Sequence, residues 1–197
     1  MAKSLVCGVG INDADYKIKK SEMVNGKWKD VWNCPFYYRW LGMLKRCYYE
    51  KTQIKQPTYV GCVTCDEWHL FSNFKKWMEV QDWEGKDLDK DLLIEGNKLY
   101  SPDTCVFVAS LVNRFIIDRG NYRGDLMLGV TLREDGAFRA RCQNPFTKKR
   151  EHLGYFSNEL DAHLAWKKRK HELAVQLAES EYVTDERIAN ILKNKYK

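Results

Sequence analysis

Asp89 and Asn113 are the side chains whose chemistry stands out first. Both carry oxygens, the donors that a hard divalent cation prefers. Between them lie Lys90 and Asp91, a Gly96-Asn97 turn signal, and the polar run Ser101-Pro102-Asp103-Thr104-Cys105. The order is carboxylate, turn, polar residue, then a ligand on a helical pattern. Lys90 complicates the centre. A solvent-accessible lysine titrates at about 10.4, so it is protonated at neutral pH and cannot take a proton from water. Burial beside a cation would lower that value, and a protonated lysine could instead clamp a phosphate. Asp91, if it continues a strand, points away from Lys90 and offers a further carboxylate on the Asp89 side.

A second set of residues follows Gly129, where the hydrophobic period changes to two. Phe138, Ala140 and Cys142 alternate with Arg139, Arg141 and Gln143, and Val130 and Leu132 alternate with Thr131 and Arg133. Alternation of this kind marks half-buried antiparallel strands, with the arginines projecting together from the outer face. Such a face can make bidentate contacts with guanine edges and can also meet phosphates. The loop before the next strand adds Lys148, Lys149 and Arg150. An ordinary solvated sheet face and loop tip is the plainer alternative.

The elements that must position these residues can be read from local pattern. Pro35 opens a helix whose apolar residues, from Phe36 and Trp40 to Cys47 and Tyr48, recur at three- and four-residue steps. Tyr59 to Val63 reads as a short strand. Asp66 reads as the cap of a helix carrying Trp68, Phe71, Phe74, Trp77 and Met78, with His69 beside the stripe. A strand is expected over 88–94, an extended piece over 105–108 and a helix over 110–118. Asp135-Gly136 signals a hairpin. A third strand over 152–156 and a long helix capped by Ser157 complete the second set, followed by a helical pattern at Ile188, Ile191 and Leu192.

Size and composition allow one or two small domains in 197 residues. The net charge of +6 comes from 33 basic and 27 acidic residues, a moderate excess that favours an anionic partner. The first residues, Met1-Ala2-Lys3-Ser4, do not begin an apolar leader, and no segment approaches membrane-span length. Seven cysteines, an odd number, read as reduced thiols in a cytoplasm-like compartment. Cys62 and Cys65 are the close pair. With no second pair at knuckle spacing, they read as buried apolar cysteines rather than as a zinc site.

The words Trp83-Glu84-Gly85-Lys86-Asp87-Leu88-Asp89-Lys90-Asp91 and Ser101-Pro102-Asp103-Thr104-Cys105 resemble a bacteriophage branch of the HNH endonucleases, over about 34–118. The resemblance places Asp89 at the metal-binding Asp and Lys90 at the general-base His. It places Thr104 near the central Asn and Asn113 at the final ligand. It implies a ββα-metal unit, a divalent cofactor such as Mg²⁺ or Mn²⁺, and DNA hydrolysis weakened or lost with the histidine. Downstream, Gly129-Val130-Thr131, Gly136-Ala137-Phe138-Arg139-Ala140-Arg141, His152-Leu153-Gly154-Tyr155-Phe156 and Glu159-Leu160-Asp161-Ala162 with Trp166 resemble the ethylene-response-factor DNA-binding domain. That family implies a three-stranded sheet that enters the major groove of double-stranded DNA.

The expectation is therefore an α+β chain. It has a lead-in at 1–33, an HNH-like domain at 34–118, a linker at 119–128, a sheet-and-helix DNA-binding domain at 129–180 and a helical tail at 181–197. The function expected is that of a phage DNA-binding protein of the homing or nicking endonuclease type, in the cytoplasm of an infected cell. A non-catalytic phage regulator or host-defence antagonist, acting through DNA or a protein partner, is the alternative.

Overall fold

A computed structural model of the chain describes residues 5–117 and 125–197. The linker expected at 119–128, with Arg119 and Arg123, lies mostly outside them. The described residues are mixed α+β, with six α-helices and four small sheets. They divide into two compact units, Met1–Phe107 and Val108–Lys197.

In the first unit, a hairpin of β1 (Lys19–Val24) and β2 (Lys27–Asn33) stands in the region expected to be only a lead-in. Its turn needs positive φ at two successive residues, and Asn25 (52°) and Gly26 (73°) supply it. Helix α1 (Pro35–Tyr48) starts at proline, whose missing N–H costs nothing in a first turn. It buries Tyr37, Trp40, Met43, Leu44 and Cys47. Helix α2 (Glu50–Lys55) follows, then the two-residue strand β3 (Val63–Thr64) where a longer strand was expected. Helix α3 (Phe71–Glu79) comes next.

Asp66 does not cap α3. It begins a 3-10 turn, and the α3 amide of Ser72 instead donates to Asp13 Oδ1 at 2.9 Å, from far upstream. The core is aromatic: Trp40, Trp68, Phe71 and Phe74 are almost fully buried. The Trp40 indole N–H finds the Trp68 carbonyl at 2.6 Å, so its one polar atom is satisfied. Gly10 of the lead-in lies against this core so closely that a Cβ there would come within 2.5 Å of Leu44.

Strand β4 (Lys86–Asp89) pairs with β6 (Val106–Ala109), and β5 (Leu99–Tyr100) lies parallel to β3. The strand expected over 88–94 stops at Asp89, because the Asp89 carboxylate turns the chain. Its Oδ1 accepts from the backbone N–H of Asp91 (3.0 Å) and Leu92 (2.7 Å). Such a local side-chain bond competes with a ladder. Helix α4 (Ser110–Ile116) follows β6.

The second unit is built on β7 (Val130–Leu132), β8 (Phe138–Gln143) and β9 (Arg150–Phe156), in the order β7-β8-β9 and antiparallel throughout. Helix α5 (Glu159–Ala178) packs on one face, where Val130, Ala140 and Ala162 form a small core with Phe138, Leu153 and Phe156 around it. Its cap is Asn158 rather than Ser157, with Asn158 Oδ1 accepting from Asp161 N at 2.9 Å. Helix α6 (Glu186–Lys195) packs against α5 and buries Ile188 and Leu192. Gly129 enters β7 at φ +80°, and a Cβ there would overlap the Trp166 side chain. No helix among the described residues is long and apolar enough to cross a membrane.

Candidate nucleic-acid interface and nuclease-like centre

The register of the second unit decides which side chains share a face. Arg139 pairs with Thr131 on one side and Tyr155 on the other, while Arg141 pairs with His152 and Gln143 with Arg150. The register slips between Ala140 and Arg141, so Leu153 is the extra residue on β9. The slip lets Leu153 join the core while Tyr155 and His152 both stay outside. The outer face therefore carries Thr131, Arg139, Arg141, Gln143, Arg150, His152 and Tyr155. Arg150, expected on the loop, instead opens β9, and the alternation Arg150-Glu151-His152 then brings onto the face His152, which was not expected there because the strand was taken to begin at His152.

Charge is concentrated on this face. Burial first, and then the positive charges of Arg139 and Arg150, push the Arg141 guanidinium below its usual range. Like charges held together raise the energy of the charged form, and an anion would relieve it. Arg139 Nε donates to Thr131 Oγ1 at 3.3 Å, which holds the side chain along the sheet. Arg133 follows the end of β7. Its guanidinium pairs with Asp135 (3.0 Å) and lies 4.5 Å from the Tyr155 ring centroid, so its charge is partly compensated.

Glu151, between the outward Arg150 and His152, turns to the helix side. There it meets Arg169 through two contacts of 2.7 and 3.1 Å and accepts from Asn144 Nδ2 at 2.7 Å. These bonds, Arg169 foremost, hold its carboxyl down at about 2. Asn144 is buried, and its Oδ1 accepts from the amides of Phe146 (2.9 Å) and Thr147 (3.1 Å). This bracing sets the loop that exposes Lys148 and Lys149 beside Arg150. Lys148 itself sits at φ 58°. The outer sheet face and its loop thus bring together six of the seven residues expected to contact DNA, and Arg133 flanks them.

The residues expected to form a metal centre are arranged differently. Lys90 is 4% exposed, and its Nζ donates to the Asn97 carbonyl (2.7 Å) and to Asp91 Oδ2 (3.1 Å). Asp91 therefore reaches Lys90 rather than pointing away from it, since alternation ends with the strand at Asp89. Asn97 closes the same loop, its Nδ2 donating to the carbonyls of Lys90 and Leu99, each at 2.7 Å. Asn97 was read from sequence only as a turn residue. Thr104 is buried, and its hydroxyl donates to the Leu99 carbonyl at 2.7 Å and sits 3.0 Å from Ser101 Oγ. It braces a turn.

Burial, and then the neighbouring Asp91 charge, raise the Asp89 carboxyl above its usual range, against the two backbone N–H bonds that lower it. A cation would relieve both effects, and hard oxygen donors suit Mg²⁺ or Mn²⁺. Asn113 is half-buried on α4, in the second unit. Among the described residues, no group of three or more His, Cys, Asp or Glu stands ready for a metal ion. Cys62 is buried, and burial raises the Cys65 thiol to about 11.

Comparison of the chain with known protein families, with curated proteins and with solved structures gave no match.

Proposed function

We propose that the protein binds double-stranded DNA through the outer face of β7-β8-β9. We further propose that it is of the phage HNH homing or nicking endonuclease type, with cleavage weakened or lost. The observation that carries the first part is the alignment of Arg139, Arg141 and Arg150 on one face, with Glu151 turned to the opposite side. Arginine forks match guanine edges and phosphates, each good base contact being worth ~1–3 kcal/mol of discrimination.

The weakened-cleavage part rests on Lys90. Its nitrogen is spent on Asn97 and Asp91 inside the loop, so it is not presented to an attacking water. Loss of a general base costs roughly 10²–10⁴-fold in rate. The same burial favours the second reading, a non-catalytic phage regulator or host-defence antagonist that kept the scaffold. In the nuclease reading Asp89 would be the carboxylate that holds a divalent cation, which would supply charge stabilisation at the phosphate.

Supercoiled plasmid incubated with the full chain and Mg²⁺ or Mn²⁺ separates the readings. Metal-dependent nicking that disappears in Asp89→Ala supports the enzyme. A mobility shift without nicking supports the non-catalytic reading. No shift at all, at low salt, refutes DNA binding.

A further inference from the structure

Beside the basic sheet lies a cavity that the sequence did not announce. Strand β7 is in register with 138–140, and Arg141 N still donates to the Gly129 carbonyl at 2.9 Å, so the β8 edge runs on beyond it at 142–143. An open cavity of about 680 Å³ forms there, lined from β8, α5 and α4 of the second unit. Arg114, Arg141, Lys148, Arg150 and Lys170 line it, with Trp166 and Phe115 as its aromatic wall. Among the described residues that line it, none is an aspartate or a glutamate. Lys170 Nζ donates to the Phe115 carbonyl at 2.6 Å and lies 3.4 Å from the Phe115 ring centroid. Burial lowers that lysine to about 8, the mark of a cation kept from water without full compensation. The volume falls in the range of small-ligand sites, ~300–1,000 Å³.

We propose that this cavity binds the phosphate ester of a nucleotide, with Lys170 and Arg114 as cationic contacts and Trp166 as the apolar wall. Arg141 and Arg150 belong to both the cavity and the sheet face, so the two form one continuous anion-binding surface. The nucleotide is either free or part of the nucleic acid on the sheet. Only the second source rests on the DNA-binding reading above.

The test uses the full chain with three probes: deoxyadenosine monophosphate, deoxyadenosine without phosphate, and a short DNA duplex. Binding is followed by NMR chemical-shift change for the small probes and by fluorescence anisotropy for the duplex. The monophosphate should bind and the nucleoside should not. Lys170→Gln should weaken the monophosphate about tenfold, the loss expected of one charged hydrogen bond. Arg114→Gln, on the exposed rim, serves as a second variant should Lys170→Gln fail to fold. Competition between monophosphate and duplex assigns the site to the bound nucleic acid, and binding without competition assigns it to a free nucleotide and refutes the continuous surface. If the monophosphate does not bind and neither variant alters duplex affinity, the proposal falls. Loss of duplex binding in Arg139→Gln, which lies outside the cavity, would then leave the sheet-face reading standing.

Discussion

Replacing Glu151 by glutamine should uncouple the helix from the sheet in a pH-dependent way. Glu151 ties β9 to Arg169 of α5 and steadies Asn144, which braces the Lys148-Lys149 loop. Its carboxyl is held from the ordinary 4.5 down to about 2. Taken in full, a shift of that size corresponds to roughly 3 kcal/mol. Both side chains retain 27% of their exposure, and water screens such a pair, so about 1–2 kcal/mol is the realistic share. The folded value lies below the unfolded one. The contribution is therefore complete above about pH 4.5 and is lost as pH falls towards about 2. Thermal unfolding of the wild type and of Glu151→Gln should differ by that amount at pH 7 and converge near pH 2. Arg169→Met should cost a similar amount, and the double variant should cost less than the sum of the two. A penalty that persists unchanged at acid pH, or an additive double variant, would refute this assignment.

Further outcomes follow from the same geometry. Gly129→Ala should destabilise the second unit by on the order of 3 kcal/mol, because the new Cβ overlaps Trp166 and φ is positive, and chemical denaturation reads it. Lys90→Met should cost about 1–3 kcal/mol by leaving the Asn97 carbonyl and Asp91 without their donor, and hydrogen exchange in the 89–99 loop should rise. An unchanged loop would mean that Lys90 is not a structural pin. Asp13→Ala should cost about 1 kcal/mol through loss of the α3 cap at Ser72, measured by urea unfolding.

Much of the second unit could be read from its sequence because its physics is local. Alternation from Val130 to Gln143 and the Asp135-Gly136 turn specify two paired strands, and the register then places the arginines. The slip at Leu153 was hidden, since one inserted residue reverses the apparent face of everything beyond it. In the first unit, the β1-β2 hairpin escaped notice because β2 is exposed along its whole length and leaves no hydrophobic period to see. The Asp13 cap was invisible because it comes from 59 residues away. The Asp89 turn was missed for a related reason: residues 88–94 look strand-like, yet a side-chain oxygen captures two amides that a ladder would need. The basic cavity needed tertiary structure, because Arg114, Arg141 and Lys170 come from three separate elements.

The most direct test is the salt dependence of duplex binding. Arg139, Arg141, Lys148, Lys149 and Arg150, each meeting one phosphate, give a slope of log affinity against log salt of about −4 to −5. Changing the three arginines together to glutamine should reduce the slope to about −2, with the fold retained by circular dichroism. A slope near zero in the wild type, or one the triple substitution leaves unmoved, would contradict the assignment of this sheet to DNA.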